Sequence, residues 1–137
     1  MSVPALVIDT NWVLDLWVFD DPRALPLRQA LQEGAVRWIG CTPMRDELER
    51  VLTYPAVHKR MQTRGLSTAD VLTLYDRWCQ PHPVPPACRH RCRDRDDQVF
   101  IDLATAHQAR LLSKDALVLR MHRQLAQVGV PVQSTWN

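Results

Sequence analysis

Apolar residues fall in two rhythms along this chain. In one they run together: Ala5, Leu6, Val7 and Ile8, then VRWIGC (36–41), ARLLS (109–113) and VPVQ (130–133). Short unbroken apolar runs are the pattern of strands covered on both faces. In the other they recur every three or four residues, as on a helix with one buried face. DPRALPLRQALQEG (21–34) fits this, with Asp21 as N-cap and Gly34 as terminator. In TPMRDELERVL (42–52), Thr42 is placed to cap and Pro43 to open the helix, with Met44, Leu48, Val51 and Leu52 on one face.

The same helical spacing appears three more times. STADVLTLYDRWC (67–79) has Ser67 and Asp70 spaced as a capping box, with Asp in place of the usual Glu. DRDDQVFIDLATAHQA (94–109) reads as a helix burying Val99, Phe100, Leu103, Ala104 and either Ala106 or His107. ALVLRMHRQLAQVG (116–129) reads as one amphipathic helix. QPHPVPPACRH (80–90), with four prolines, is a loop or an extended segment.

Strands alternating with helices predict a three-layer α/β/α sandwich around a mainly parallel sheet. A chain of 137 residues, without repeats, suits a single domain over 1–137. The four glycines form neither GxGxxG nor a P-loop, which argues against a dinucleotide or P-loop enzyme. The net charge of +2 decides nothing about partners. No apolar run approaches membrane-spanning length and no signal-peptide pattern opens the chain, so a cytoplasmic location without membrane contact is expected. In that setting Cys41, Cys79, Cys88 and Cys92 are most simply free thiols.

Function enters with the carboxylates. In an open α/β sheet, sites form at the carboxyl ends of the strands. Asp9 follows the first strand and Asp115 follows ARLLS; Asp97 begins a helix and Glu47 lies in the helix after the second strand. Four acids brought together repel unless a cation compensates them. All-oxygen ligation favours Mg²⁺ or Mn²⁺. One such ion, or two at ~3.5–4 Å, would activate a water for in-line attack on a phosphodiester. Each acid also has an ordinary explanation. Asp94, Asp96 and Asp97 cannot all be ligands, and one or two of them cap the helix. Glu47 alone could be a solvated helix residue, and Asp102 is expected to be exposed.

VIDTNWVLD (7–15), RDELERVL (45–52), CRDRDDQVFIDLA (92–104) and LLSKDALVL (111–119), in that order, resemble the motifs of the PIN-domain family. The resemblance is strongest to a branch described as toxin components of bacterial toxin–antitoxin systems. It implies an α/β/α nuclease with Asp9, Glu47, Asp97 and Asp115 as its catalytic, metal-binding acids. Asn11 matches a supporting polar position and Ser113 the small hydroxyl before the fourth acid; Thr10 and Asp94 stand beside these as further supports. Lys114 replaces a usual glycine, and its ammonium could reach phosphate, pair with Asp115 or point to solvent. Arg95 replaces a usual proline.

Two other clusters compete for attention. Cys79, His82, Cys88, His90 and Cys92 are zinc ligand types, but their spacings lack a paired-knuckle pattern. Arg89, Arg91, Arg93 and Arg95 alternate, so an extended segment would turn all four the same way. They would form a basic rim for RNA, with Lys114 as a further contact, or an ordinary solvated surface on which Arg93 or Arg95 pairs the aspartates. HKRMQTR (58–64) is a second basic stretch.

The expectation is therefore a Mg²⁺- or Mn²⁺-dependent endoribonuclease for single-stranded RNA, leaving a 5′-phosphate and a 3′-hydroxyl without a protein nucleophile. By resemblance it would be a toxin silenced by a cognate antitoxin, and it would form a homodimer. The alternative is a catalytically inactive RNA- or protein-binding module on the same scaffold. A phosphatase with a nucleophilic Asp would need a second acid two residues on, where this chain has Asn11.

Overall fold

Strands β1 (Ala5–Ile8), β2 (Arg37–Gly40), β3 (Gln80–Pro81), β4 (Arg110–Leu112) and β5 (Val132–Gln133) make one sheet in the order β3-β2-β1-β4-β5. The computed structural model describes residues 3–136. All four strand pairs are parallel. Helices α1 (Thr10–Trp17), α2 (Leu25–Gln32), α3 (Thr42–Val51), α4 (Pro55–Thr63) and α5 (Thr68–Trp78) precede the proline-rich segment. Helices α6 (Gln98–His107), α7 (Ala116–Leu119) and α8 (His122–Ala126) follow it.

Strand alternation splits the core in two. Leu6, Ile8, Trp38 and Leu112 pack with α1, α2, α4 and α5 on one face. Val7, Ile39 and Leu111 pack with α6, α7 and α8 on the other. This is the predicted three-layer sandwich, with a sheet that is parallel throughout.

The caps follow local chemistry. Ser67 and Asp70 form a reciprocal capping box at α5, with bonds of 3.0 and 2.9 Å. Asp21 caps a 3-10 turn (Pro22–Ala24) leading into α2, and Gly34 ends that helix with φ of +73°. The α3 cap lies one residue earlier than expected. Cys41 holds the extended N-cap position and Thr42 is already helical, because a proline at Pro43 suits either of the first two helical positions.

The structure refines the sequence expectation in four further places. Of the loop or extended segment expected over 80–90, Gln80 and Pro81 take the extended form as an edge strand, where a missing N–H costs no ladder bond. Residues 55–63 form α4, opened by Pro55, with Val57 and Met61 buried one turn apart. The segment 116–129 is two short helices with a turn at Met121 (φ −87°, ψ 3°) between them, and Val118, Met121 and Leu125 are all in the core. In α6 the buried face is Phe100, Ile101, Leu103 and Ala104, while Ala106 and His107 are exposed. Among the described residues no helix is long and apolar enough to cross a membrane.

Candidate active site

Central β1 has β2 on one side and β4 on the other, so the chain reverses its order at the end of β1. Side chains just past these strands face one crevice. Asp9 stands there as the N-cap of α1, buried to 6% exposure. Its Oδ1 accepts from the Trp12 amide at 3.0 Å. Its Oδ2 accepts from the Ser113 hydroxyl at 2.8 Å and from the Lys114 amide at 2.9 Å. Burial still raises its pKa, against the pull of these three bonds.

The loop after β4 is shaped by the same hydroxyl. Ser113 is fully buried, and its Oγ accepts from the Asp115 amide at 3.1 Å. Asp115 then caps α7 through the Leu117 amide at 2.8 Å. Asp94 and Asp97 bracket the short 3-10 turn before α6, with Asp94 accepting from the Asp96 amide. α3 presents Glu47 and is tied to α5 by a two-bond Arg45–Asp76 pair.

A cleft of about 280 Å³ collects Asp9, Thr10, Asn11, Glu47, Asp94, Asp96, Asp97 and Asp115. All four acids expected from the sequence line it. Within it, carboxylate oxygens of Asp94, Asp97 and Asp115 lie within 4.8 Å of one another. That trio joins Asp97 and Asp115, two of the expected metal-binding acids, with Asp94. Asp94, expected only to support, stands in the tightest group, while Asp9 and Glu47 lie outside it. Asp96 also lines the cleft.

Crowding shows in the proton affinities. Burial chiefly, then the hydrogen bond and charge of Asp115 and the charges of Asp94 and Glu47, push Asp97 up to about 8. Burial also raises Glu47, with Asp96 and Asp9 adding to it and a hydrogen bond from Thr10 opposing it. Asp97 Oδ2 is buried without a hydrogen-bond partner. A buried carboxylate oxygen left bare is costly. Beside two further carboxylates, it fits a hard divalent cation.

The basic candidates divide. Lys114 does not pair with Asp115. Its ammonium bonds Asp15 on α1, which is 8% exposed, and sits 4.9 Å from the centre of the Trp12 ring. It does not line the acidic cleft, so a phosphate contact from Lys114 is not supported. Arg89, Arg91, Arg93 and Arg95 are all exposed, with residues 90, 92 and 94 between them, and residue 88 before them, half-buried. Among the described residues none of the four forms an ion pair. Arg64, from the second basic stretch, instead donates to the Val18 carbonyl at 2.8 Å.

Asp102 is buried rather than exposed. It accepts from the Cys88 amide at 3.0 Å and from Gln98 Nε2 at 2.8 Å. Gln98 also donates to the His90 carbonyl and accepts from the Cys92 amide. The i, i+4 spacing of Gln98 and Asp102 on the buried face of α6 was the available signal. The Cys/His set does not converge: Cys79 is buried beside Tyr75, and His82 packs edge-on against His107 at 4.7 Å. Among the described residues, Asp94, Asp97 and Asp115 are the one group of three or more such side chains close enough to share a metal.

A family model described as a PIN domain matches residues 5–115. That span runs from β1 to Asp115 and holds every acid of the cleft. No curated protein matches the chain.

Proposed function

The chain belongs to the PIN-domain family, whose members are generally nucleases, and from that premise we propose that it is a metal-dependent endoribonuclease acting on single-stranded RNA. The observation that carries the proposal is the bare, buried Asp97 Oδ2 beside Asp94 and Asp115. These three would hold the ion, Mg²⁺ or Mn²⁺, with Asp9 and Glu47 completing the acidic lining. The chemistry supplied by a divalent ion there is polarisation of a water and of a phosphate oxygen.

The chain's own groups do the rest. Ser113 and the Lys114 amide fix Asp9, and through Ser113 also the backbone at Asp115. Thr10 and Asn11 add polar groups at the rim of the cleft. Burial and the neighbouring acids raise the proton affinity of Asp97, and a cation bound beside it would favour the ionised carboxylate. Among the described residues no Ser or Cys side chain is hydrogen-bonded to a His ring nitrogen, the Cys88 thiol meeting only the His90 backbone carbonyl, so cleavage through a protein nucleophile has no support. Arg91, Arg93 and Arg95 are free to meet the RNA backbone.

The toxin role is part of the same proposal and rests on the likeness of the four motifs to the toxin branch. Its partner would be an antitoxin that covers the acidic cleft, and its own assembly a homodimer. The direct test is incubation of the purified chain with single-stranded RNA, with Mn²⁺ and with chelator. Cleavage that requires Mn²⁺ and disappears in Asp9→Asn supports the nuclease. RNA bound but never cut would make it an inactive binding module.

A further inference from the structure

The acidic cleft has an apolar side. Leu14, Val51, Tyr54 and Val57 line it together with the carboxylates. Leu14 and Val57 are buried, at 4% and 8%, and serve the core. Tyr54 is different. It is 49% exposed, and of the exposed large hydrophobic side chains Val3, Leu25, Tyr54 and Val84 it alone lines this cleft.

The backbone holds Tyr54 in place. Pro55 follows it, and a residue before proline is confined to extended conformations. Tyr54 has φ −66° and ψ 139° and serves as the N-cap of α4. Its amide donates to the Val51 carbonyl at 3.0 Å, and its carbonyl accepts from the His58 amide at 2.8 Å. Only the two side-chain torsions remain free, so ordering the ring on a ligand costs little.

We propose that Tyr54 is a platform on which an unpaired nucleobase stacks while the attached phosphate lies at the Asp94–Asp97–Asp115 group. RNA as the ligand rests on the nuclease reading above; the platform rests on the geometry. A nucleotide joins an anionic phosphate to a flat apolar face, and this cleft joins a cation-binding group to an exposed aromatic ring. The cleft that joins them has a volume of about 280 Å³. In a duplex the base faces are already stacked on one another, so the platform selects single strands. Lys59 and Arg60 are exposed further along α4, where the next phosphates of a strand would pass.

The test compares the full chain with Tyr54→Ala and Tyr54→Phe. A fluorescent single-stranded RNA decamer is titrated with Ca²⁺ in place of Mn²⁺, and Mn²⁺ binding is measured separately by calorimetry. Tyr54→Ala should weaken RNA binding about tenfold or more, Tyr54→Phe should restore it, and Mn²⁺ affinity should stay unchanged in both. RNA decamers bearing an abasic site at successive positions should bind wild type more weakly at one position and lose that dependence in Tyr54→Ala. A wild-type chain that never cleaves RNA, yet binds it with this Tyr54 dependence, upholds the platform and ends the nuclease reading. Equal RNA affinity for wild type and Tyr54→Ala, or no RNA binding by wild type, overturns the platform.

Discussion

The Ser113 hydroxyl donates to Asp9 Oδ2 at 2.8 Å, joining the ends of β1 and β4 across 104 positions of sequence. A carboxylate offers about four lone pairs. Ser113, the Lys114 amide and the Trp12 amide use three of them. One direction on Oδ1 remains for the cleft. Asp9 is therefore an oriented group before any ligand arrives, and Ser113 is the one side chain among the three donors that orient it.

Ser113→Ala should consequently affect stability and function together. The hydroxyl is fully buried and also accepts from the Asp115 amide. Its loss leaves the Asp115 amide unpaired and Asp9 Oδ2 with the Lys114 amide alone, a cost of about 1–3 kcal/mol. The urea midpoint should fall, and Mn²⁺-dependent cleavage should fall more than the residual stability explains. An unchanged midpoint would mean that the bond is dispensable.

Asp97 makes the metal-free protein sensitive to pH. In the unfolded chain its carboxyl ionises near the ordinary 3.8, and in the folded chain only near about 8. Between these values the folded state holds the extra proton. Stability is thus greatest below the lower value and falls as pH rises through this window. In chelator, the melting temperature should drop by several degrees from pH 5 to pH 8. Asp97→Asn removes the ionising group, so it should flatten that slope and raise stability at pH 8 while abolishing Mn²⁺ binding. A parallel slope in the variant would assign the effect elsewhere.

The Lys114–Asp15 pair predicts a mutation that harms the fold and spares the chemistry. Asp15 is nearly buried, whereas Lys114 is about a third exposed. Lys114→Ala strands a carboxylate beside Trp12 and should cost about 1–3 kcal/mol, less than a fully buried pair. The double variant with Asp15→Asn should recover most of the loss. Cleavage per folded molecule should stay near wild type at low salt, because Lys114 does not line the acidic cleft.

How much of this was legible from sequence depends on the kind of signal. Apolar runs showed β1, β2 and β4, because strands covered on both faces have no polar side to break them, and VPVQ showed β5 although its Val132 is half-buried and its Gln133 exposed. The acids after β1 and in the loop after β4 were legible for the same reason: topology alone sends them to one edge. Asp94 was not separable from Asp96 and Asp97, since three near-adjacent acids differ only in how a 3-10 turn aims them. Lys114 was unreadable because its partner Asp15 lies on α1, a contact across 99 positions that no local pattern encodes. The strand β3 was hidden by its proline, which is tolerated there only because the strand is at the edge.

The arginine rim makes a prediction in salt. Single-strand binding weakens with salt by a log–log slope of about −0.7 per phosphate contacted. If Arg91, Arg93 and Arg95 each meet a phosphate, replacing all three with alanine should flatten the slope by about 2. Mn²⁺ affinity should be unaffected. A slope equal to that of wild type would make the rim an ordinary solvated surface.

Asp102 then becomes testable as the residue that presents that rim. It holds the Cys88 amide directly and holds Gln98, which in turn grips the His90 carbonyl and the Cys92 amide. Those contacts pin the half-buried residues and so turn the arginines out. Asp102→Ala leaves the Cys88 amide and one Gln98 hydrogen unpaired and should cost about 1–3 kcal/mol. It also frees residues 88–95, so RNA affinity should fall with a flatter salt slope, although no arginine has been removed. Asp102→Asn keeps an acceptor oxygen in the same place and should restore most of both effects. A loss of stability in Asp102→Ala with the salt slope intact would show that Asp102 serves the fold alone.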